Sequence, residues 1–87
     1  MDTRIRPEYV EFMPETLDDG VLYISDKYGL AVHRCCCGCG NTVVTPLGEG
    51  GWALTTIDGT VTLHPSIANR FPCQAHYWIQ DNVVVWA

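Results

Sequence analysis

The stretch Trp52-Ala53-Leu54-Thr55-Thr56-Ile57-Asp58-Gly59-Thr60-Val61-Thr62-Leu63 decides the fold. Both flanks alternate with period two, and Asp58-Gly59 supplies the positive φ angles of a type I′ turn, so the stretch reads as a β-hairpin. A second hairpin closes the chain, with Tyr77-Trp78-Ile79, a turn at Gln80-Asp81-Asn82, then Val83-Val84-Val85-Trp86. Upstream, Val21–Ser25 and Leu30–Arg34 are rich in β-branched and aromatic residues and flank the turn signature Asp26-Lys27-Tyr28-Gly29. Residues 42–45 form another short strand, ended by Pro46, and residues 1–19 hold an edge strand near the alternation Tyr9-Val10-Glu11-Phe12 within otherwise irregular chain. Pro65 disfavours helical geometry at His64, so the strand is expected to end there and the chain to turn at Ser66. Residues 64–70 then have room for one helical turn. No longer segment carries a helical period. The expected fold is mainly β, a small sheet of hairpins with at most one short helical turn.

Eighty-seven residues make one domain, residues 1–87, and a core of that size is marginal on its own. Hydrophobic residues are 47% against 17% charged, which excludes intrinsic disorder. Ten acids outnumber five Lys and Arg, and seven of the ten fall within residues 1–26. The chain therefore has neither the basic footprint of a nucleic-acid binder nor a polybasic membrane patch. With no apolar run long enough to span a bilayer and no signal peptide, the expected setting is the cytoplasm.

Four of the five cysteines lie within five positions, as Cys35, Cys36, Cys37 and Cys39, and the fifth is Cys73. A disulfide framework would spread an even number along a secreted chain. Metal binding fits this clustering, and a marginal core gives structural zinc a purpose. Zinc takes four thiolate or imidazole ligands in a tetrahedron, typically two from each of two tight turns. The turns here are Cys35-Cys36-Cys37-Gly38-Cys39-Gly40 and Cys73-Gln74-Ala75-His76. Spacing alone allows Cys36 and Cys39 with Cys73 and His76, or the alternating set Cys35, Cys37 and Cys39 with Cys73. Whichever set holds, one cysteine is a spectator. If four thiolates close the site, His76 is free for chemistry.

Ser66 stands in Leu63-His64-Pro65-Ser66-Ile67 and has two uses. It caps a short helical turn, or it presents a nucleophilic hydroxyl that needs a base in reach, from His33, His64 or His76. His33 reads as a surface residue or one that backs the cysteine cluster. Asp58 and Asp81, in hairpin turns, are weak candidates for an acid orienting that base. Gly48-Glu49-Gly50-Gly51 leads into a strand with no Lys-Ser/Thr behind it, so it is no phosphate cradle.

The ordered motifs Cys35 to Gly40 with Thr42-Val43-Val44, Gly51-Trp52-Ala53-Leu54, Leu63-His64-Pro65-Ser66-Ile67, Cys73-Gln74-Ala75-His76-Tyr77-Trp78-Ile79 and Val85-Trp86 resemble a bacterial zinc-binding domain family of unknown function. Its members are often encoded beside ubiquitin-like conjugation operons. The likeness covers residues 30–87, and it implies a peptidase that processes the C-terminal tail of the ubiquitin-like modifier. By the resemblance, Ser66 is the nucleophile and His76 its base. The family's Cys-Pro-Cys-Gly-Cys-Gly turn places Cys35, Cys37 and Cys39 on zinc with Cys73, and puts Cys36 where the family has proline. The family has serine before its histidine, where this chain has Ala75. The expected partners are a ubiquitin-like protein or its conjugating machinery. The competing expectation is a non-catalytic, zinc-ribbon-like adaptor in which His76 binds metal and Ser66 caps.

Overall fold

The computed structural model describes residues 2–70 and 72–87. It holds eight strands: β1 (Arg6–Tyr9), β2 (Val21–Ser25), β3 (Leu30–Arg34), β4 (Thr42–Pro46), β5 (Ala53–Ile57), β6 (Thr60–Ala68), β7 (His76–Gln80) and β8 (Val83–Trp86). They form two four-stranded sheets, each in sequence order, and no helix occurs among the described residues. Only β1 and β2 run parallel, with Arg6 opposite Val21 and Tyr9 opposite Ile24. The other neighbours are antiparallel.

The sheets face each other across one apolar core. Leu22, Ile24, Ala31 and Val43 come from the first sheet, and Val61, Leu63, Ile67, Tyr77, Ile79 and Val84 from the second. In the first sheet, all five residues of β2 are buried, as in a strand covered on both faces. The irregular segment between β1 and β2 supplies the outer cover. There the Asp18 N–H donates to Tyr23 Oη at 3.0 Å, and Ser25 Oγ donates to the Glu11 carbonyl at 3.1 Å. Among the described residues the second sheet has no such cover. Its burial alternates along β7, with Tyr77 and Ile79 inside and His76 and Gln80 exposed.

Both hairpins of the second sheet close through two-residue turns. Asp58 and Gly59 have φ of 49° and 81°, and Asp81 and Asn82 have 49° and 65°, the left-handed pair that a type I′ turn requires. The last turn is thus Asp81-Asn82 alone, shorter than the three residues expected, because Gln80 pairs with Val83. Asn82 holds the turn by accepting from the Val61 N–H at Oδ1 (2.8 Å) and donating its own N–H to the Val61 carbonyl (3.0 Å).

Residues 64–70 differ from expectation. β6 does not stop at Pro65; it runs on to Ala68, and its register against β7 shifts between Leu63 and Ile67. Three residues, His64, Pro65 and Ser66, stand opposite the single Trp78. Pro65 is tolerated because β5 pairs with β6 only as far as Ala53 opposite His64, so proline's missing N–H removes no ladder bond on that side. No helical turn exists there for Ser66 to cap. Just before this end of β5, Gly51 is required: a Cβ on it would lie 2.2 Å from the Pro46 carbonyl oxygen, where the chain crosses between sheets.

Candidate functional site

Two clusters of reactive side chains lie at the end of the molecule where β6 passes into β7. The first is made of sulfur. β3 ends at Arg34, and the following turn closes through Cys35 N–H to the Asn41 carbonyl (2.8 Å) and Gly38 N–H to the Cys35 carbonyl (3.1 Å), with Gly38 and Gly40 at positive φ. Cys73 comes from the connection between β6 and β7. The Sγ atoms of Cys35, Cys37, Cys39 and Cys73 all lie within 4.8 Å of one another. Cys35 to Cys37 is 3.4 Å, and Cys73 is 3.8 Å from both Cys35 and Cys39. Four sulfurs about 2.3 Å from a tetrahedral zinc would stand about 3.8 Å apart, so the spacing fits such an ion. These four cysteines could hold a metal ion.

The cluster's electrostatics point the same way. Asn41 lowers the Cys39 thiol to about 6, chiefly through its backbone N–H, whereas the neighbouring Cys39 pushes Cys37 up to about 12. Four thiolates this close cannot all ionise without a cation to balance them. Further N–H groups aim at the sulfurs: Cys39 N–H at Cys37 (3.3 Å), Asn41 Nδ2 at Cys39 (3.3 Å) and Asn69 Nδ2 at Cys35 (3.2 Å). Residue spacing offers no sign of these asparagines.

Cys36 is elsewhere. It is wholly buried among core residues, and burial pushes its thiol up to about 11. Its N–H donates to Tyr77 Oη at 3.4 Å, and the same oxygen lies 2.7 Å from His33 Nε2. His33 is not a surface residue. It is 0% exposed, and burial lowers it to about 4, so it stays neutral at physiological pH. Tyr77 Oη thus accepts from the Cys36 N–H and shares a hydrogen bond with His33 Nε2, while His33 Nδ1 has no partner among the described residues.

The second cluster lies on the bare face of the second sheet. Ile67 pairs with Tyr77 and Ala68 with His76, so Ser66 is the diagonal neighbour of His76 on the outward side. Ser66 Oγ lies 2.9 Å from His76 Nε2. The Trp78 ring, two residues along the same strand, sits 5.2 Å from the imidazole at 36° and limits its rotation. His76 is not among the sulfurs, although Cys73 is only three residues before it. His64 is exposed, with no hydrogen bond to Ser66.

No carboxylate bonds to His76 among the described residues. Asp81 is five residues along from His76, roughly 16 Å, and Asp58 is at the far end of β6 from Ser66. Neither can be the orienting acid. The whole outward face, read from the strand register, carries no Asp, Glu, Lys or Arg; its large side chains are Ile57, Trp78, Val83 and Val85. A hydroxyl bonded to an exposed imidazole on such a face is the arrangement in which a neutral histidine can take the serine's proton.

This arrangement, a serine–histidine pair on a β-sandwich beside a four-cysteine cluster, suits a small hydrolase with a structural metal. The chain belongs to the family of bacterial ubiquitination-like system serine proteases, BubE, whose family model it matches over residues 9–87. The match reaches well upstream of the motifs in residues 30–87 and includes the whole segment that covers the first sheet. No curated protein and no solved structure matches the chain. Among the described residues no helix is long and apolar enough to cross a membrane.

Proposed function

We propose that the protein is a zinc-stabilised serine peptidase that cuts the C-terminal tail of a ubiquitin-like protein, with Ser66 as nucleophile and His76 as general base. One observation carries the reading: Ser66 Oγ and His76 Nε2 are 2.9 Å apart on an open sheet face. His76 Nε2 takes the hydroxyl proton as Ser66 Oγ adds to the scissile carbonyl. The oxyanion needs a backbone donor, and the Ser66 N–H, in the stretch where β6 slips against β7, is the candidate, since the His64 N–H faces β5 opposite Ala53. His76 then gives its proton to the leaving amine, leaving an ester on Ser66. Water, deprotonated by the same imidazole, releases the new C-terminus and regenerates Ser66.

Cys35, Cys37, Cys39 and Cys73 would hold zinc, which when bound ties the β3–β4 turn to the β6–β7 connection. A site closed by four thiolates has no position for water, so its contribution is structural. Free thiols in that number suit a reducing cytoplasm. The adaptor alternative requires His76 among the ligands, and its ring nitrogen bonds to Ser66 instead.

The test is cleavage of the ubiquitin-like precursor by Ser66→Ala, His76→Ala and the double variant. Each single change should remove nearly all cleavage with zinc content unchanged, and the double should be no worse than either. Cleavage surviving in Ser66→Ala would refute the assignment. Loss of zinc from His76→Ala would return that residue to the metal.

A further inference from the structure

The edge of β6 beyond His64 is left open by the way β5 begins. Trp52, immediately before β5, donates its N–H to the Pro46 carbonyl (2.8 Å) and accepts from the Gly48 N–H (2.9 Å). Both of its backbone groups are thus bonded within residues 46–52, and β5 cannot extend past the pairing of Ala53 with His64. β6 continues four residues further with β7 on one side only.

The backbone direction on that edge follows from the ladder. The Asn69 N–H donates to the Ala75 carbonyl at 2.9 Å, which makes that a hydrogen-bonded pair. The preceding pair, Ala68 with His76, is then the non-hydrogen-bonded kind. The His76 carbonyl agrees, since it accepts from the Ala87 N–H on the far side of β7 at 3.0 Å. The N–H and C=O of Ala68 therefore point away from β7, out of the sheet edge. No described residue bonds to either, and Ala68 is exposed.

An unpaired edge is a template for another strand. This one spans the four residues Pro65 to Ala68, begins at a proline and includes Ser66, two residues before Ala68. Such an edge is too short to favour self-association and long enough to hold a short extended peptide. The strands of the adjoining face carry no Asp, Glu, Lys or Arg, and the exposed Arg70 lies two residues past Ala68, so the matching occupant is an extended stretch of chain without basic side chains. We propose that the substrate's tail adds as a β-strand along this edge, bonding to the N–H and C=O of Ala68, which carries the scissile bond past Ser66. This rests on the peptidase reading for its occupant. The mode is strand addition: main-chain bonds supply affinity, and few side-chain pockets are needed.

The test uses a synthetic peptide spanning the cleaved bond of the ubiquitin-like precursor, titrated against the Ser66→Ala protein. Ala68→Pro in that background removes the edge N–H where proline is compatible with a strand. It should weaken peptide binding at least tenfold, about 1.4 kcal/mol, with zinc content unchanged. Should that variant fail to fold, peptides N-methylated one amide at a time probe the native edge. Binding should be lost at the amide facing Ala68 and kept at its immediate neighbours, with a period of two. Unchanged affinity in a folded Ala68→Pro protein, or a uniform response to methylation, overturns the proposal. A peptide that binds with this pattern but is not cut by the native protein would keep the edge and remove the peptidase assignment.

Discussion

The two sheets have the same number of strands and opposite treatments of their outer faces. The first is wrapped: the segment between β1 and β2 covers it, every residue of β2 is buried, and Tyr23 and Ser25 bond to the cover. The second is bare among the described residues, and its outward strand positions, which hold the Ser66–His76 pair, carry no Asp, Glu, Lys or Arg. The same alternating pattern that forms a strand cannot say which outer face will be covered. One sheet supplies stability and the other an accessible surface, and the cysteine cluster joins them at one end.

The largest effect that can break this division is metal removal. The cluster takes three sulfurs from the first sheet's β3–β4 turn and one from the second sheet's connection, so chelation should lower stability by several kcal/mol and free the His76 end of β7. An unchanged melting temperature after verified metal loss would contradict the joining role. Cys37→Ala should lose zinc, whereas Cys36→Ala should keep it, as read by metal analysis.

Next comes the core of the wrapped sheet. Leu22→Ala, at a fully buried site between the sheets, should cost about 3 kcal/mol in denaturant unfolding. Gly51→Ala should cost about 2 kcal/mol, because its methyl meets the Pro46 carbonyl and the crossing between sheets must shift. The smallest effect belongs to the bare face: Ile57→Thr, 60% exposed on β5, should change stability by less than about 0.5 kcal/mol. A large loss there would mean the face is covered in solution.

Much of the fold is legible in the sequence, for identifiable reasons. β2 and β3 match their sequence boundaries because a compact turn separates two β-branched runs, and Asp58-Gly59 specifies its own backbone angles. β6 is misread at Pro65, since the rule that proline ends a strand assumes partners on both sides. The cover over the first sheet and the parallel pairing of β1 depend on contacts between distant residues that no local pattern encodes. For the same reason β1 starts at Arg6, ahead of the alternation at Tyr9 to Phe12. His33 alternates correctly in β3, but nothing local says that its side of the strand faces Tyr77. The four sulfurs that meet were one of two sets the spacing allowed. The meeting of Ser66 with His76 depends on the slipped register between Leu63 and Ile67, which the sequence does not display.

The most direct test of the bare face as a serine-protease site is its reaction with a fluorophosphonate, with the adduct located by peptide mass mapping. The native protein should carry one adduct, on Ser66, and the His76→Ala protein should carry almost none under the same exposure. An adduct elsewhere, or labelling of Ser66 indifferent to His76, would contradict the account.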